Sequence, residues 1–202
     1  MESIEAASRR TARGAATRAR IVAAAADLMF AGGVADTSLD AVLAASGTSK
    51  SQLYHYFADK DDLVLAVIQR QTERVLAAQE PYVLDSLAAL RRWRDALVEL
   101  QRQRNCAGGC PIGSLASELA ESPRPRALLA KSFGRWESCL VAGFTAMRDR
   151  AELTSGADPA DLATAVMTAL QGGLLLTQTT RSTRPLELAL DMALDHVAAH
   201  LR

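Results

Sequence analysis

Thr37-Ser38-Leu39-Asp40-Ala41-Val42-Leu43-Ala44-Ala45-Ser46-Gly47-Thr48-Ser49-Lys50-Ser51-Gln52-Leu53-Tyr54-His55-Tyr56-Phe57-Ala58-Asp59-Lys60-Asp61-Asp62-Leu63 is the stretch on which the reading of this chain turns. A short helix is expected after Thr37-Ser38, with Leu39, Val42 and Leu43 on one face and Gly47 just beyond its end. On the next short helix Leu53, Tyr56 and Phe57 point inward, while Ser49, Lys50, Gln52 and His55 stay outside. Asp59 precedes Lys60-Asp61-Asp62, an acidic first turn for the amphipathic run from Leu63 towards Ala78, which Pro81 ends. A helix, a Gly-containing turn and a second helix let the second helix enter a DNA major groove while the first braces against the backbone. Close approach needs small or hydrogen-bonding residues at the N-terminal end of the reading helix, and Thr48, Ser49, Lys50, Ser51 and Gln52 supply them.

Working outward, Thr17 to Phe30 carries Ile21, Ala25, Leu28 and Met29 at one-sided helical spacing, with Thr17 as the expected N-cap and Gly32-Gly33 as the stop. Five further helices are expected downstream, roughly Val83 to Arg104, Ile112 to Glu121, Arg124 to Leu153, Pro159 to Thr180 and Pro185 to Leu201. Their separators are Asn105 to Pro111, Ser122-Pro123 with Pro125, Ser155 to Pro159, and Thr183-Arg184-Pro185. Residues are 49% hydrophobic but only 4% aromatic, and the Ala and Leu usage favours helix over sheet. The fold class read here is all-α, of about nine helices. Lys plus Arg offset Asp plus Glu, 23 against 23, so overall charge gives no support for a polyanionic partner. Its distribution is uneven: Arg9, Arg10, Arg13, Arg18 and Arg20 form a basic arm without an acidic residue, suited either to phosphates or to a solvated terminus.

Two short helices with a Gly turn occur in many helical proteins, and the residues narrow the choice. The quoted stretch closely resembles the signature of the TetR (tetracycline repressor) family: an opening Thr-Ser, a Gly turn, a Leu-Tyr-x-x-Phe core and a closing Lys-Asp-Asp-Leu. The likeness covers Thr17 to about Ile68 and, more loosely, the helical organisation beyond. It implies a helix-turn-helix DNA-binding domain over residues 15–62 and a ligand-binding and dimerisation domain over residues 63–202. Carried onto matching positions, it implies phosphate contacts from Thr37, Tyr54 and Lys60, and base-edge or groove contacts from Thr48, Ser49, Lys50, Gln52 and His55. Ser38 and Ser51 complete the candidate DNA-facing set. Hydroxyls, Lys and helix N-termini suit phosphates, while Gln52 and Lys50 suit adenine and guanine edges. Leu53, Tyr56 and Phe57 are assigned to the small core.

The family likeness further implies a homodimer on a roughly palindromic operator in double-stranded DNA, with the last two helices pairing as a four-helix bundle. The sequence permits it through two stripes: Leu162, Ala165, Val166, Ala169, Leu170, Gly173, Leu174 and Thr177, then Leu186, Leu190, Ala193, Leu194 and Val197. Either stripe also suits an intramolecular core. A small-molecule effector, apolar or aromatic, is expected among the middle helices. The candidates are Trp93, Leu97, Leu115, Phe133, Trp136, Leu140, Phe144, Met147, Met167, Gln171 and Leu175, residues that equally suit a plain core. The loop Gly108-Gly109-Cys110-Pro111-Ile112-Gly113 and the following Ser114 to Ala120 are similar to a Gly-Cys-Pro segment in one branch of the family. The function implied is a transcriptional repressor released by its effector, with an activator as the alternative.

An enzyme is the rival class. Cys106 and Cys110 lack Cys-x-x-Cys spacing, and an odd count of three cysteines suits free thiols better than a disulfide framework. His196 and His200 share a helix face, but no third metal ligand accompanies them. No cofactor or metal is expected. Met1 to Gly14 lacks the apolar core of a secretory signal, and Asp27 interrupts the Ala-rich run from Ile21, so a cytoplasmic location without a membrane partner is expected.

Overall fold

The structure is a computed structural model that describes residues 2–202, with side chains from Arg13 onward. Nine helices and no strands are present among the described residues: α1 Glu2–Gly32, α2 Leu39–Ser46, α3 Lys50–Tyr56, α4 Lys60–Ala77, α5 Leu87–Gln103, α6 Pro111–Leu119, α7 Pro123–Asp149, α8 Pro159–Thr180 and α9 Arg184–Ala199. The all-α expectation therefore holds. Several boundaries differ from the sequence reading: α7 ends at Asp149 rather than Leu153, and α6 and α9 each end two residues early. Thr17 is no N-cap: it lies inside α1 and its hydroxyl donates to the Arg13 carbonyl at 3.0 Å, because the Ala- and Arg-rich segment before it is itself a good helix former. Helix α5 begins at Leu87 rather than Val83, because Ser86 caps it by accepting from the Ala89 N–H.

The chain divides into two compact units, one formed by Met1–Glu73 with Ser114–Leu129, the other by Arg74–Gly113 with Ala130–Arg202. In the first, α1 packs on α2 and α3. Ile21, Ala25 and Met29 of α1, Val42 of α2, Leu53 and Phe57 around α3, and Leu63 and Val67 of α4 are all buried. Burying a side chain of this size stabilises by roughly 1.5–3 kcal/mol, which fixes the angle at which the short α3 is held. A Cβ on Gly14 would stand 3.2 Å from the Tyr56 hydroxyl, so glycine there lets α1 pass close to α3.

In the second unit α8 and α9 form the most extensive helix pair, and α5 packs on α9. Gly173 lets the backbones approach: a Cβ there would meet the Leu186 Cα at 3.0 Å. The buried Thr177 hydroxyl accepts from the Leu186 N–H at 3.2 Å, satisfying a donor at the start of α9. Of the two readings open for the stripes, the intramolecular core holds for these positions. Leu162, Val166, Leu170, Gly173, Leu174 and Thr177 of α8, and Leu186, Leu190, Ala193, Leu194 and Val197 of α9, are buried within one chain. Helical periodicity shows that a face is apolar, not which copy of the chain covers it. The large apolar residues left exposed on this pair are Leu175, Leu176, Leu188 and Met192.

Arg94 to Asp191 at 2.8 Å and Arg102 to Glu187 at 3.3 Å tie α5 to α9. Gly143 in α7 lies against the Leu84 carbonyl, where any Cβ would collide with backbone. By length and composition α8 is also apolar enough to cross a membrane, with 44% of its apolar window buried.

Candidate nucleic-acid interface and sensing core

Helix α2 starts at Ser38, whose hydroxyl accepts from the Ala41 N–H at 3.1 Å, and ends at Gly47 with φ 62°. That left-handed conformation costs glycine little and other residues more. It turns the chain within three residues into α3. There Ser49 accepts from the Gln52 N–H at 3.2 Å while the Gln52 side-chain oxygen accepts from the Ser49 N–H at 2.9 Å. This reciprocal capping box satisfies two N–H groups that would otherwise lack partners, and a cap of this kind stabilises by about 1 kcal/mol.

Leu53 and Phe57 anchor the rear of α3 in the core, and the Arg18 guanidinium lies 5.2 Å from the centre of the Phe57 ring. Lys50, Ser51, Gln52, Tyr54 and His55 stand outward, with Tyr54 48% exposed. Tyr56 is half-buried and meets His55 edge-on at 4.8 Å between ring centres. Lys50 Nζ sits 6.0 Å from the Tyr54 ring centre. A two-turn helix with a fixed apolar back and a row of cationic, amide, hydroxyl and imidazole groups has the chemistry to meet a duplex groove.

The other candidates hold the surrounding turns. Thr37 is buried and donates to the Gly33 carbonyl at 2.7 Å. Thr48 is buried, its hydroxyl 2.7 Å from that of Ser46. Lys60, at the start of α4, donates to the Ala35 carbonyl at 3.3 Å, and Asp59 caps α4 through the Asp62 N–H at 2.8 Å. Of the basic arm, Arg13, Arg18 and Arg20 lie exposed on α1; the side chains of Arg9 and Arg10 fall outside the described residues.

The sequence reading missed Glu118 of α6. Its carboxylate accepts from the Val34 N–H at 2.7 Å and the Ala35 N–H at 3.4 Å, within the unit that holds α2 and α3. Gly33, with φ 87°, lies under the same carboxylate. No sequence signal links Glu118 to a turn 84 positions away. The capping box was also missed, although the spacing Ser49-x-x-Gln52 carries its signal.

Among the effector candidates, Trp93, Trp136, Leu140, Phe144, Met147 and Met167 are buried in the second unit. Leu97, Phe133 and Gln171 are partly buried there. Leu115 is buried in the first unit, and Leu175 is 62% exposed on α8. The Trp93 indole N–H is satisfied by Gln79 Oε1 at 2.8 Å. Burial pushes the Cys110 thiol above its ordinary range, against hydrogen bonds from the Gly113 and Ile112 backbone and from Gln171. Cys106 and Cys110 are both buried, and neither forms a disulfide. The His196 and His200 rings meet edge-on at 4.9 Å, and no metal-binding group of three or more His, Cys, Asp or Glu residues occurs among the described residues.

Residues 21–67 match the model of bacterial regulatory proteins of the tetR family, and residues 86–192, more than half the chain, match that of the C-terminal domain of LmrA/YxaF-like transcriptional regulators. An HTH-type transcriptional regulator from the lacX 3' region of Lactococcus lactis is 28% identical over 185 residues, covering 87% of this chain and 90% of the relative. The transcriptional regulator AcuR of Cereibacter sphaeroides is 28% identical over 148 residues, covering 71% and 68%. A TetR transcriptional regulator from Chloroflexus aurantiacus has the same fold, with TM-score 0.82, 24% identity, and coverage of 94% of this chain and 98% of that one. The reduced form of Escherichia coli NemR aligns at TM-score 0.69 with 22% identity, covering 92% and 97%.

Proposed function

This chain belongs to the TetR family of helix-turn-helix transcriptional regulators, and from that premise we propose that it is a homodimeric repressor that a small-molecule effector releases from operator DNA. The observation that carries the reading is the outward row Lys50, Ser51, Gln52, Tyr54 and His55 on an α3 whose back is locked by Leu53 and Phe57. Residues 15–62 form the DNA-binding head in this account, and residues 63–202 sense and dimerise. Lys50, Gln52 and His55 read base edges. Tyr54 and Lys60 meet phosphates, and Ser49 and Ser51 lie at the groove wall. Thr37, Ser38 and Thr48 act chiefly by holding the turns, since their hydroxyls already have partners in the chain.

A single two-turn helix reads few bases, whereas two held about 34 Å apart engage successive major grooves and multiply specificity. The exposed Leu175, Leu176, Leu188 and Met192 on α8 and α9 support pairing of two copies through that face. The buried residues from α5, α7 and α8 form the effector core. Effector binding shifts the population towards a separation of the two reading helices that no longer matches the groove spacing. The regulator works in the cytoplasm, where its DNA is.

The test is to recover genomic fragments retained by the purified protein and measure release by compounds made or consumed by the adjacent gene products. The reading expects a palindromic fragment and at least one compound that lowers operator affinity. A compound that saturates the protein and leaves operator affinity unchanged contradicts the induction step.

A further inference from the structure

Where α5 and α8 end, the second unit opens a cleft of about 800 Å³ whose walls include Arg102, Arg104, Asn105, Cys106, Arg181 and Ser182. That volume is in the range of small-molecule sites, and none of the apolar effector candidates lines it. The walls come from the turn after α5 and the turn between α8 and α9, joined where Arg181 donates to the Cys106 carbonyl at 3.3 Å across 75 positions. Both turns are strained. Asn105, Cys106 and Arg181 have φ of 51°, 54° and 54°, and they are three of the four non-glycine residues with positive φ among those described. Asparagine tolerates this conformation, but cysteine and arginine rarely adopt it, and such strain clusters where a site needs its backbone held in one shape.

The charges on these walls do not cancel. Arg102 is paired with Glu99 at 3.0 Å and Glu187 at 3.3 Å, and Glu187 also accepts from the Thr183 hydroxyl at 2.8 Å. The nearby carboxylates are thus already engaged. Arg181 bonds the Cys106 carbonyl but no carboxylate, and the Arg104 side chain has no hydrogen bond or ion pair among the described residues. Two guanidinium groups therefore line one cleft without a counter-charge. The start of α9 adds no spare donor: the Arg184 N–H goes to Ser182 Oγ, the Leu186 N–H to Thr177, the Glu187 N–H to the Thr183 carbonyl, and residue 185 is proline. Recognition here belongs to the arginine side chains, with the Asn105 amide and the Ser182 hydroxyl as neutral donors beside them.

We propose that this cleft binds a small organic dianion, a phosphate ester or a dicarboxylate, held at its charged oxygens by Arg104 and Arg181. A guanidinium offers paired N–H donors that match two oxygens of a carboxylate or phosphate, and two uncompensated charges suit a dianion better than a monoanion. The cleft is larger than an inorganic ion needs, which leaves space for a short organic body. The site lies apart from the apolar effector core, so the inference goes beyond the repressor reading and stands or falls without it.

The probes are phenyl phosphate and succinate as dianions and acetate as the monoanion, titrated calorimetrically into the full chain at pH 8 and matched ionic strength, without DNA. At least one dianion should bind about tenfold more tightly than acetate, the factor one further charged hydrogen-bonded contact produces at an open site. Preference for phenyl phosphate assigns a phosphate ester, and preference for succinate a dicarboxylate. Arg104→Gln and Arg181→Gly should each weaken dianion binding about tenfold. Glycine adopts the left-handed turn at 181 freely, so that variant removes the guanidinium while keeping the backbone, and circular dichroism should show unchanged helicity. Arg104→Lys, which keeps the charge but loses the fork, should retain part of the affinity. Arg91→Ala, at an exposed α5 position outside the cleft, should stay within about twofold of wild type, the margin set by a distant, screened charge. Dianions that bind no better than acetate, no binding at millimolar concentration, or an equal loss in Arg91→Ala overturns the proposal. So does dianion binding that survives both cleft variants, because that places the anion elsewhere, as on the outward row of α3.

Discussion

Replacing Glu118 by Ala should loosen the helix-turn-helix without touching any residue that faces DNA. The carboxylate takes one short hydrogen bond at 2.7 Å from Val34 and a long one at 3.4 Å from Ala35. Hydrogen bonds to a charged group contribute about 1.5–3 kcal/mol when buried, and exposure at this turn reduces the expected loss to about 1 kcal/mol. The turn also carries the Thr37 hydroxyl bond to Gly33 and the Lys60 bond to Ala35, so freeing it lets α2 and the start of α4 shift together. A cost of about 1 kcal/mol per head is roughly fivefold in affinity, and two heads on one operator give about thirtyfold. The thermal midpoint should fall by only about 2–4 °C for a chain of this length. Fluorescence anisotropy on a labelled operator at fixed salt reads the affinity, and Glu118→Gln, which keeps one oxygen acceptor, should recover part of the loss. Operator binding by Glu118→Ala within twofold of wild type would refute the argument that the carboxylate sets the head.

Lys60→Ala should weaken binding to every duplex and lower the salt slope by about one unit, whereas Gln52→Ala should also change preference among operator variants; a uniform loss for Gln52→Ala removes its base-reading role. Met192→Asp, placed where the side chain is 71% exposed on α9, should convert the dimer to monomer in sedimentation while leaving helicity unchanged, and a persisting dimer shifts the interface elsewhere. With burial holding the Cys110 thiol above its ordinary range, it stays protonated through neutral pH. A thiol reagent at pH 7 should therefore modify the half-exposed Cys139 first, with Cys106 and Cys110 following only on unfolding, and three fast thiols in the native protein would contradict this burial.

The helix-turn-helix was legible because its signals are local. Ser38, Gly47 and the Leu53 and Phe57 spacing act within a turn or two of where they stand. The α8 and α9 stripes were legible as apolar but not as intramolecular, since the periodicity of Leu190 or Val197 is the same whether its cover is α8 or a second chain. Thr17 misled because a favourable capping residue type was read without weighing the helix-forming residues before it. Glu118 and the Gln79–Trp93 pair were out of reach for a different reason. Both depend on side chains brought together by the tertiary fold, and neither leaves a periodicity in the sequence.

The central claim is that α3 is a groove-reading element presented in duplicate. Footprinting the purified protein on a genomic fragment it retains tests this most directly, comparing wild type with a Lys50→Ala, Gln52→Ala double variant. The account predicts two protected major-groove segments whose centres lie about 10 base pairs, or a multiple of that, apart, both lost in the variant. Protection without such pairing, or a variant footprint identical to wild type, would contradict it.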